Sequence, residues 1–167
     1  MAISELYRSE SLPPAADSEQ AARGIERLGE AAAARDDSLR RFFADAIVDS
    51  SGRRILDALF GNSPFLESCL IRDLPFARLL LAEGPEAAIA AMRRDLAALG
   101  RADTGTDALG AGLRLAKRQV ALTTALADIA GLWPLATVTR TLSEFGDAAL
   151  DVATGQLLRQ MAKAGAL

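Results

Sequence analysis

The sequence predicts an all-α fold: a multi-helix bundle of about seven helices, closing with two long antiparallel helices. Three observations lead there. Alanine and leucine dominate while valine, isoleucine and threonine are sparse, a balance that favours helices because alanine and straight-chain residues lose little rotamer freedom in them. No stretch sustains the two-residue alternation of a half-buried strand. Helix-starting and helix-stopping residues recur at intervals of one helix length. With 167 residues, half of them apolar, the chain has the size of one domain that buries roughly two-thirds of its unfolded surface. Neither a disulfide nor a structural metal is needed to hold it.

Taken in order, residues 1–16 form a flexible start closed by Pro13-Pro14, and residues 17–167 form a single helical domain. Asp17 or Ser18 caps a helix running to about Arg35, and Asp36 or Asp37 caps the next, ending near Asp49. Ser51 caps a short helix carrying Ile55, Leu56, Leu59 and Phe60. Gly61-Asn62-Ser63 stops it, with Pro64 suited to the first turn beyond. Two short helices follow, Pro64 to about Arg72 and Asp73 to Ala82, with Phe65, Leu66, Leu70, Phe76 and Leu79 to Leu81 as core candidates. Gly84-Pro85 starts another that reaches Gly100, and Arg101 to Thr106 is a polar connection. The first long helix, about Asp107 to Leu132, carries Leu115, Leu122, Leu126, Ile129 and Trp133 on one apolar stripe. Pro134 separates it from the second, about Thr137 to Ala164. That helix has one stripe of Val138, Leu142, Phe145, Ala149 and Val152, and another of Leu150, Ala153, Leu157 and Met161. Two stripes predict a helix covered on more than one side.

Absences exclude whole classes of chemistry. With no histidine, the chain has no Ser-His-Asp or Cys-His nucleophilic site, no His-liganded zinc and no histidine base. One cysteine, Cys69, forms no intrachain disulfide and no multi-cysteine cluster, and it reads as an inert buried thiol. A formal net charge of -3 argues against general nucleic-acid binding, which needs a basic surface. The opening residues lack the basic start and apolar run of a secretory signal. The least charged window, Val120 to Thr139, holds Asp128 near its middle and is broken by Pro134, so it reads as a buried helix and not a membrane span. The expected compartment is the cytoplasm.

Gly105 to Gly112, GTDALGAG, spaces its glycines as a phosphate loop does, but Ala111-Gly112 stand where Lys and Ser or Thr are needed; it reads as a helix entry. Glu144, Asp147 and Asp151 share a helix face, and Asp45 with Asp49 repeats the idea, yet Arg140 stands four residues before Glu144 at the spacing of a solvated ion-pair face. No Asp-x-Asp occurs, so no metal site is expected. Arg114, Lys117 and Arg118 place three cations on one face where the helix dipole gives them no help. They are the candidates for contact with a phosphate or an acidic partner, with an intradomain carboxylate as the plainest partner. Arg93-Arg94 and Arg53-Arg54 are doublets of the same kind. Trp133 beside Pro134 reads as a core anchor at a helix end.

Two longer strings go further. ALFGNSPFLESCLIRDLPFARLLLAEGPEAA, from Ala58 to Ala88, and LRLAKRQVALTTALADIAGLWPLATVTRTLSEFGDAALD, from Leu113 to Asp151, resemble the helical N-terminal part of the glutamate-ammonia-ligase adenylyltransferase family, which includes bifunctional glutamine synthetase adenylyltransferase/adenylyl-removing enzymes. With the Arg-rich segment from Met92 to Leu99, the likeness covers most of the chain after about Ala21. It implies a bacterial regulatory enzyme of nitrogen metabolism with two nucleotidyltransferase-like domains. One attaches AMP from ATP to a tyrosine of glutamine synthetase; the other removes it by phosphorolysis, releasing ADP. PII-type signalling proteins and glutamine set the balance, and magnesium serves both reactions. The family's catalytic signature, Gly-Ser followed about ten residues later by Asp-x-Asp, does not occur here. No catalytic residue is therefore carried over. The resemblance implies a segment of the adenylyl-removing half, inactive alone, that precedes and packs on its own catalytic core, with glutamine synthetase and a PII-type protein as partners. A stand-alone helical interaction module and a structural remnant are the rival readings. A large exposed apolar patch favours the remnant.

Overall fold

Local capping chemistry sets where most helices begin. In the computed structural model, which describes Ile3, Tyr7 and residues 12–165, Asp17 caps α1 (Ser18–Ala33), its carboxylate accepting from Gln20 N at 2.8 Å. Asp36 caps α2 (Asp37–Val48) through Ser38 N and Leu39 N. Asp49 ends α2 and caps α3 (Ser50–Asn62), accepting from Ser51 N and Gly52 N at 3.0 and 2.9 Å. The cap is thus Asp49 and not Ser51, because a carboxylate at the joint satisfies two free N–H groups and also complements the helix dipole. Ser63 and Pro64 open α4 (Pro64–Arg72), and Asp73 caps α5 (Leu74–Glu83). Gly84, with φ of 93°, makes the left-handed corner that Pro85 follows into α6 (Pro85–Arg101). The long helices α7 (Thr106–Ile129) and α8 (Leu135–Lys163) have no side-chain cap. The described residues thus form eight helices where the sequence predicts about seven, and each lies in a segment that its punctuation marks off.

The core forms where α1, α2 and α3 wrap one another and α4 and α5 close the group onto α6 and α7. Phe43, Ile55, Leu56, Phe60, Leu74, Leu80 and Leu126 are shut away from solvent. Helix α1 lies close on α3 because Gly24 has no side chain: a β-carbon there would stand 2.7 Å from Phe60 Cδ2. One carboxylate is buried within this group. Glu67 receives Arg27 Nε at 2.7 Å and Nη2 at 2.6 Å, so its charge is both paired and hydrogen-bonded. Of the first sixteen residues, Tyr7 is buried and its hydroxyl donates to Leu80 O at 2.8 Å, while Asn62 Nδ2 donates to Pro14 O at 3.0 Å. Burial of Tyr7, with Glu86 nearby, raises the phenol above its ordinary range.

The two long helices run antiparallel as expected, joined by a short turn in which Leu132 N and Trp133 N both return to Ala127 O. Two expectations about them are corrected. Leu115 is exposed although Leu122 and Leu126 on its stripe are buried. The α4–α5 corner covers Gln119, whose Nε2 donates to Asp73 Oδ2 at 2.8 Å, and Leu115 lies one turn outside that contact. Helix α8 is covered along one face only. Phe145, Ala148 and Val152 pack on the core, whereas Leu142, Leu150, Leu157, Leu158 and Met161 are exposed. Its apolar periodicity is real, but no described element lies over the second stripe.

Candidate functional site

The basic face of α7 occupies what packing leaves over. Leu109, Ala116, Val120, Thr123 and Ala127 turn inward, and Arg114, Lys117 and Arg118 come out on the opposite side. Elsewhere cations meet carboxylates: Arg27 with Glu67, Arg53 with Asp57 at 3.1 Å, Arg93 with Glu144, and Lys163 with Asp103. Among the described residues, no carboxylate stands opposite the α7 cations at ion-pair distance, where an intradomain one is expected. No ion pair among the described residues involves Arg114, Lys117 or Arg118. Arg118 Nε is moreover closed off from solvent without an acceptor. A buried N–H without an acceptor carries a desolvation cost.

A residue of α4 also lies within electrostatic reach of the same thiol as two of the α7 cations. Arg118, Arg72 and Lys117 all act on buried Cys69, their positive charges drawing its thiol down while desolvation, the larger influence, pushes it above its ordinary value. Arg72 sits in the last turn of α4 and its Nε donates to Ser68 Oγ at 3.1 Å. Arg114 instead folds back along α7: a β-carbon on Gly110 would stand 3.1 Å from its Nη1. Arg72 of α4 thus bears on Cys69 together with Lys117 and Arg118 of α7. Arg72 is the residue that spacing on one helix does not reveal; its place three residues after Cys69 is the only sequence signal.

The other motifs fall into structural roles. Gly105 is the N-cap of α7 with no strand before it, and Gly112 lets α7 approach α6, since a β-carbon there would meet Leu99 Cδ2 at 2.5 Å. GTDALGAG is thus a helix entry. Glu144 pairs with Arg93 of α6 and not with Arg140, whose Nη2 reaches Thr137 Oγ1 at 3.5 Å, so the carboxylate is spent between helices. Asp147 and Asp151 are exposed, and among the described residues no three carboxylates or thiols gather into a metal-binding set. Arg53 and Glu144 lie beside two surface clefts. The second, about 270 Å³, opens between α6 and α8 over Met92, Leu96, Phe145 and Val152. Trp133 packs on the core and donates Nε1–H to Glu86 Oε1 at 2.7 Å, which keeps it as an anchor of the α7–α8 turn.

Sequence reasoning did not reveal a polar clamp at the far end of α8. Gln156 is fully buried; its amide donates to Thr104 O and its carbonyl accepts from Arg159 Nη2 at 2.7 Å. Arg159 also donates to Gly100 O, and Lys163 pairs with Asp103. These contacts fix the end of α8 to the 102–105 connection. The partners across from α8, Gly100, Asp103 and Thr104, are all more than fifty residues away from the side chains they meet, and a glutamine in a helix carries no signal of such a role. Among the described residues no helix is long and apolar enough to cross a membrane.

Comparison with known proteins agrees with the likeness carried by the two strings. Residues 53–167 match the family model described as glutamate-ammonia ligase adenylyltransferase. The chain is similar to the bifunctional glutamine synthetase adenylyltransferase/adenylyl-removing enzyme of Bradyrhizobium sp. (strain ORS 278), 33% identical over 144 residues, covering 84% of this chain and 14% of the relative. The enzyme of the same name from Rhodopseudomonas palustris (strain ATCC BAA-98 / CGA009) is 35% identical over 111 residues, 66% of this chain and 11% of the relative. That from Xanthobacter autotrophicus (strain ATCC BAA-1158 / Py2) is 39% identical over 108 residues, 64% of this chain and 11% of the relative. The chain therefore spans only a small part of the length of the curated relatives it matches. No solved structure matches it. With the family model covering most of the helical domain, the chain belongs to the glutamate-ammonia ligase adenylyltransferase family.

Proposed function

We propose that this chain is the N-terminal helical part of an enzyme that adenylylates and deadenylylates a tyrosine of glutamine synthetase, and that it lies in the adenylyl-removing half. Its task there is to seat the catalytic core, and it has no catalysis of its own. The observation that carries this reading is the uncovered second stripe of α8, Leu150, Leu157 and Met161, with exposed Leu142 of the first stripe beside it, on a helix that packs on the core through Phe145 and Val152. An apolar face of that length on a soluble domain marks a surface that another element covers. The relatives supply the covering chain, since the matching segment is 11–14% of their length.

In this reading ATP, ADP, phosphate and magnesium belong to the catalytic core. The described carboxylates form no set that fits a metal ion, so no step of the reaction is assigned to this segment. Glutamine synthetase is the substrate protein, a PII-type protein is the regulator, and the cytoplasm is the compartment. The test is a chimera in which this chain replaces the matching segment of a curated relative. AMP release from adenylylated glutamine synthetase is then measured with phosphate present. The chimera is expected to be active and the chain alone inactive. Leu150→Gln with Leu157→Gln in the chimera should slow release by about tenfold or more, as loss of about 1.4 kcal/mol of packing requires. Release by the chain alone, or full activity in the doubly substituted chimera, would overturn the proposal. The absence of Gly-Ser and Asp-x-Asp favours a second reading, a helical module that docks on glutamine synthetase without chemistry. Direct binding of the chain to glutamine synthetase, with a chimera indifferent to the α8 substitutions, would select it.

A further inference from the structure

We propose that α8 pairs with α8 of a second copy of this chain, antiparallel, about a two-fold axis through Gly146. The proposal goes beyond the reading above. It concerns the same open face in the chain by itself, and it stands on the pattern of that face and not on the family.

The pattern reads alike in both directions. Leu135, Thr139, Leu142, Gly146, Leu150, Ala153 and Leu157 follow one another at steps of 4, 3, 4, 4, 3 and 4 residues. At 3.6 residues per turn they fall in a band about a quarter of a turn wide. Reversal about Gly146 exchanges Leu135 with Leu157, Thr139 with Ala153 and Leu142 with Leu150. A two-fold interface needs this property, because each position meets its own mirror position on the other copy. Eleven residues make three turns almost evenly, so the band keeps to one line over its whole length.

The face is open and fit to close. Leu135, Leu142, Leu150 and Leu157 are 71, 43, 67 and 51 % exposed. At Gly146 a β-carbon would meet nothing within 4 Å, so no described side chain fills the middle of the band. With Ala149 and Ala153 beyond it, Gly146 lets two backbones approach to about 8 Å, the short end of helix spacing. The contacts to the core, Phe145, Ala148 and Val152, lie about a third of a turn from the band, so the two bodies stand back from the joint.

Charge sets the direction. No charged residue falls in the band. Arg140 and Asp151 lie on one flank of it, and neither takes part in an ion pair among the described residues. Antiparallel pairing about Gly146 brings Arg140 of each copy level with Asp151 of the other, whereas parallel pairing sets like against like. Asp147 of each copy stands beside the axis and opposes the pair. Covering the band on both copies removes on the order of 1,000 Å² from water, the low end for a specific interface. A dissociation constant of about 10–100 μM is therefore expected.

The experiment is sedimentation equilibrium of the whole chain from about 1 μM to about 1 mM, where monomer and dimer should exchange with that constant. Gly146→Glu places two like charges at the axis, at a position where the chain itself has room. It should weaken the dimer by about tenfold or more while circular dichroism shows the helices kept. Leu142→Gln should weaken it too, so the outcome does not hang on one variant. Arg140→Glu should weaken it several-fold, Arg140→Glu with Asp151→Arg should restore it, and Asp147→Asn should tighten it. Cross-linking with a short bismaleimide reads the direction: Leu135→Cys and Leu157→Cys chains, mixed, should join each other faster than either joins itself. A monomer at every concentration, aggregates with no dimer, indifference to both Gly146→Glu and Leu142→Gln, or faster self-joining of Leu135→Cys would overturn the proposal. A core seated on α8 takes the same face, so the chimera should not pair through it. A monomeric chain with a chimera that depends on α8 would overturn this proposal alone. A dimeric chain with a chimera indifferent to α8 would overturn only the seating of the core.

Discussion

Helices α3 and α8 are held in opposite ways. Of the thirteen residues of α3, seven are buried, all of them apolar or glycine; of the twenty-nine of α8, only Thr141 and Gln156 are buried, and both are polar. Helix α3 is fixed by packing against its neighbours. Helix α8 is fixed by a thin seam through Phe145 and Val152 and by the clamp of Gln156, Arg159 and Lys163 on the 102–105 connection. Packing density decides how much a helix resists opening. The difference sets α3, inside the core, apart from α8, whose outer face no described element covers.

The sharpest break in the comparison comes from Phe60 on α3, which is fully buried against Gly24. Phe60→Ala should lower global stability by about 3–5 kcal/mol in denaturant unfolding. A loss near that of a surface substitution would mean the α1–α3 contact is not the centre of the core. Gln156→Ala should cost about 1–3 kcal/mol by leaving Thr104 O with only the longer bond from Gln160 Nε2 at 3.3 Å and by removing the acceptor of Arg159 Nη2. That loss should show as faster amide exchange along α8 with α3 unaffected. Uniformly faster exchange in both helices would remove the distinction between them.

The capping and corner chemistry of the fold is legible in the sequence because it is local. Asp17, Asp36, Ser63-Pro64, Asp73 and Gly84-Pro85 start their helices by contacts within three residues. The same locality makes the Asp49 cap hard to assign, since Ser51 is an equally good capping type two residues on and only geometry selects between them. The apolar stripes of α8 are also legible, but periodicity reports which faces are apolar and says nothing about whether a neighbour covers them. That is why Leu150 and Leu157 are expected inside and are found outside. Within the candidate site, Arg114, Lys117 and Arg118 are visible as neighbours on one helix. That Arg72 also acts on Cys69 depends on α4 packing against α7, and no spacing along the chain encodes it.

Smaller effects sharpen the comparison further. Leu150→Gln with Leu157→Gln should change the stability of this chain by no more than about 0.5 kcal/mol per site, because both side chains already face solvent and glutamine is a good helix former. A loss of several kcal/mol, read by thermal unfolding, would show the stripe to be covered within the chain. The weakest dependence is on pH. Asp103 is held below its ordinary value of 3.8, first by its hydrogen bond to Lys163 and then by that residue's charge. A depressed carboxylate stabilises the folded form above its unfolded pKa and loses that contribution as pH falls through the folded one. The last turn of α8 should therefore fray below about pH 3.8 before the rest of the helix responds, and Lys163→Gln should remove this dependence. Exchange of the 160–164 amides measured over that range checks it. A frayed end that is insensitive to pH would mean that the exposed pair contributes nothing.

The central claim is that the open face of α8 is where the remainder of a longer family member sits. Hydrogen exchange of the 135–163 amides, compared between this chain alone and the same segment in the chimera, tests it most directly. The account predicts slowing by about tenfold or more from Leu142 to Met161 in the chimera, with α3 unchanged and with the slowing abolished by Leu150→Gln and Leu157→Gln. Identical exchange of α8 in the two settings would contradict it.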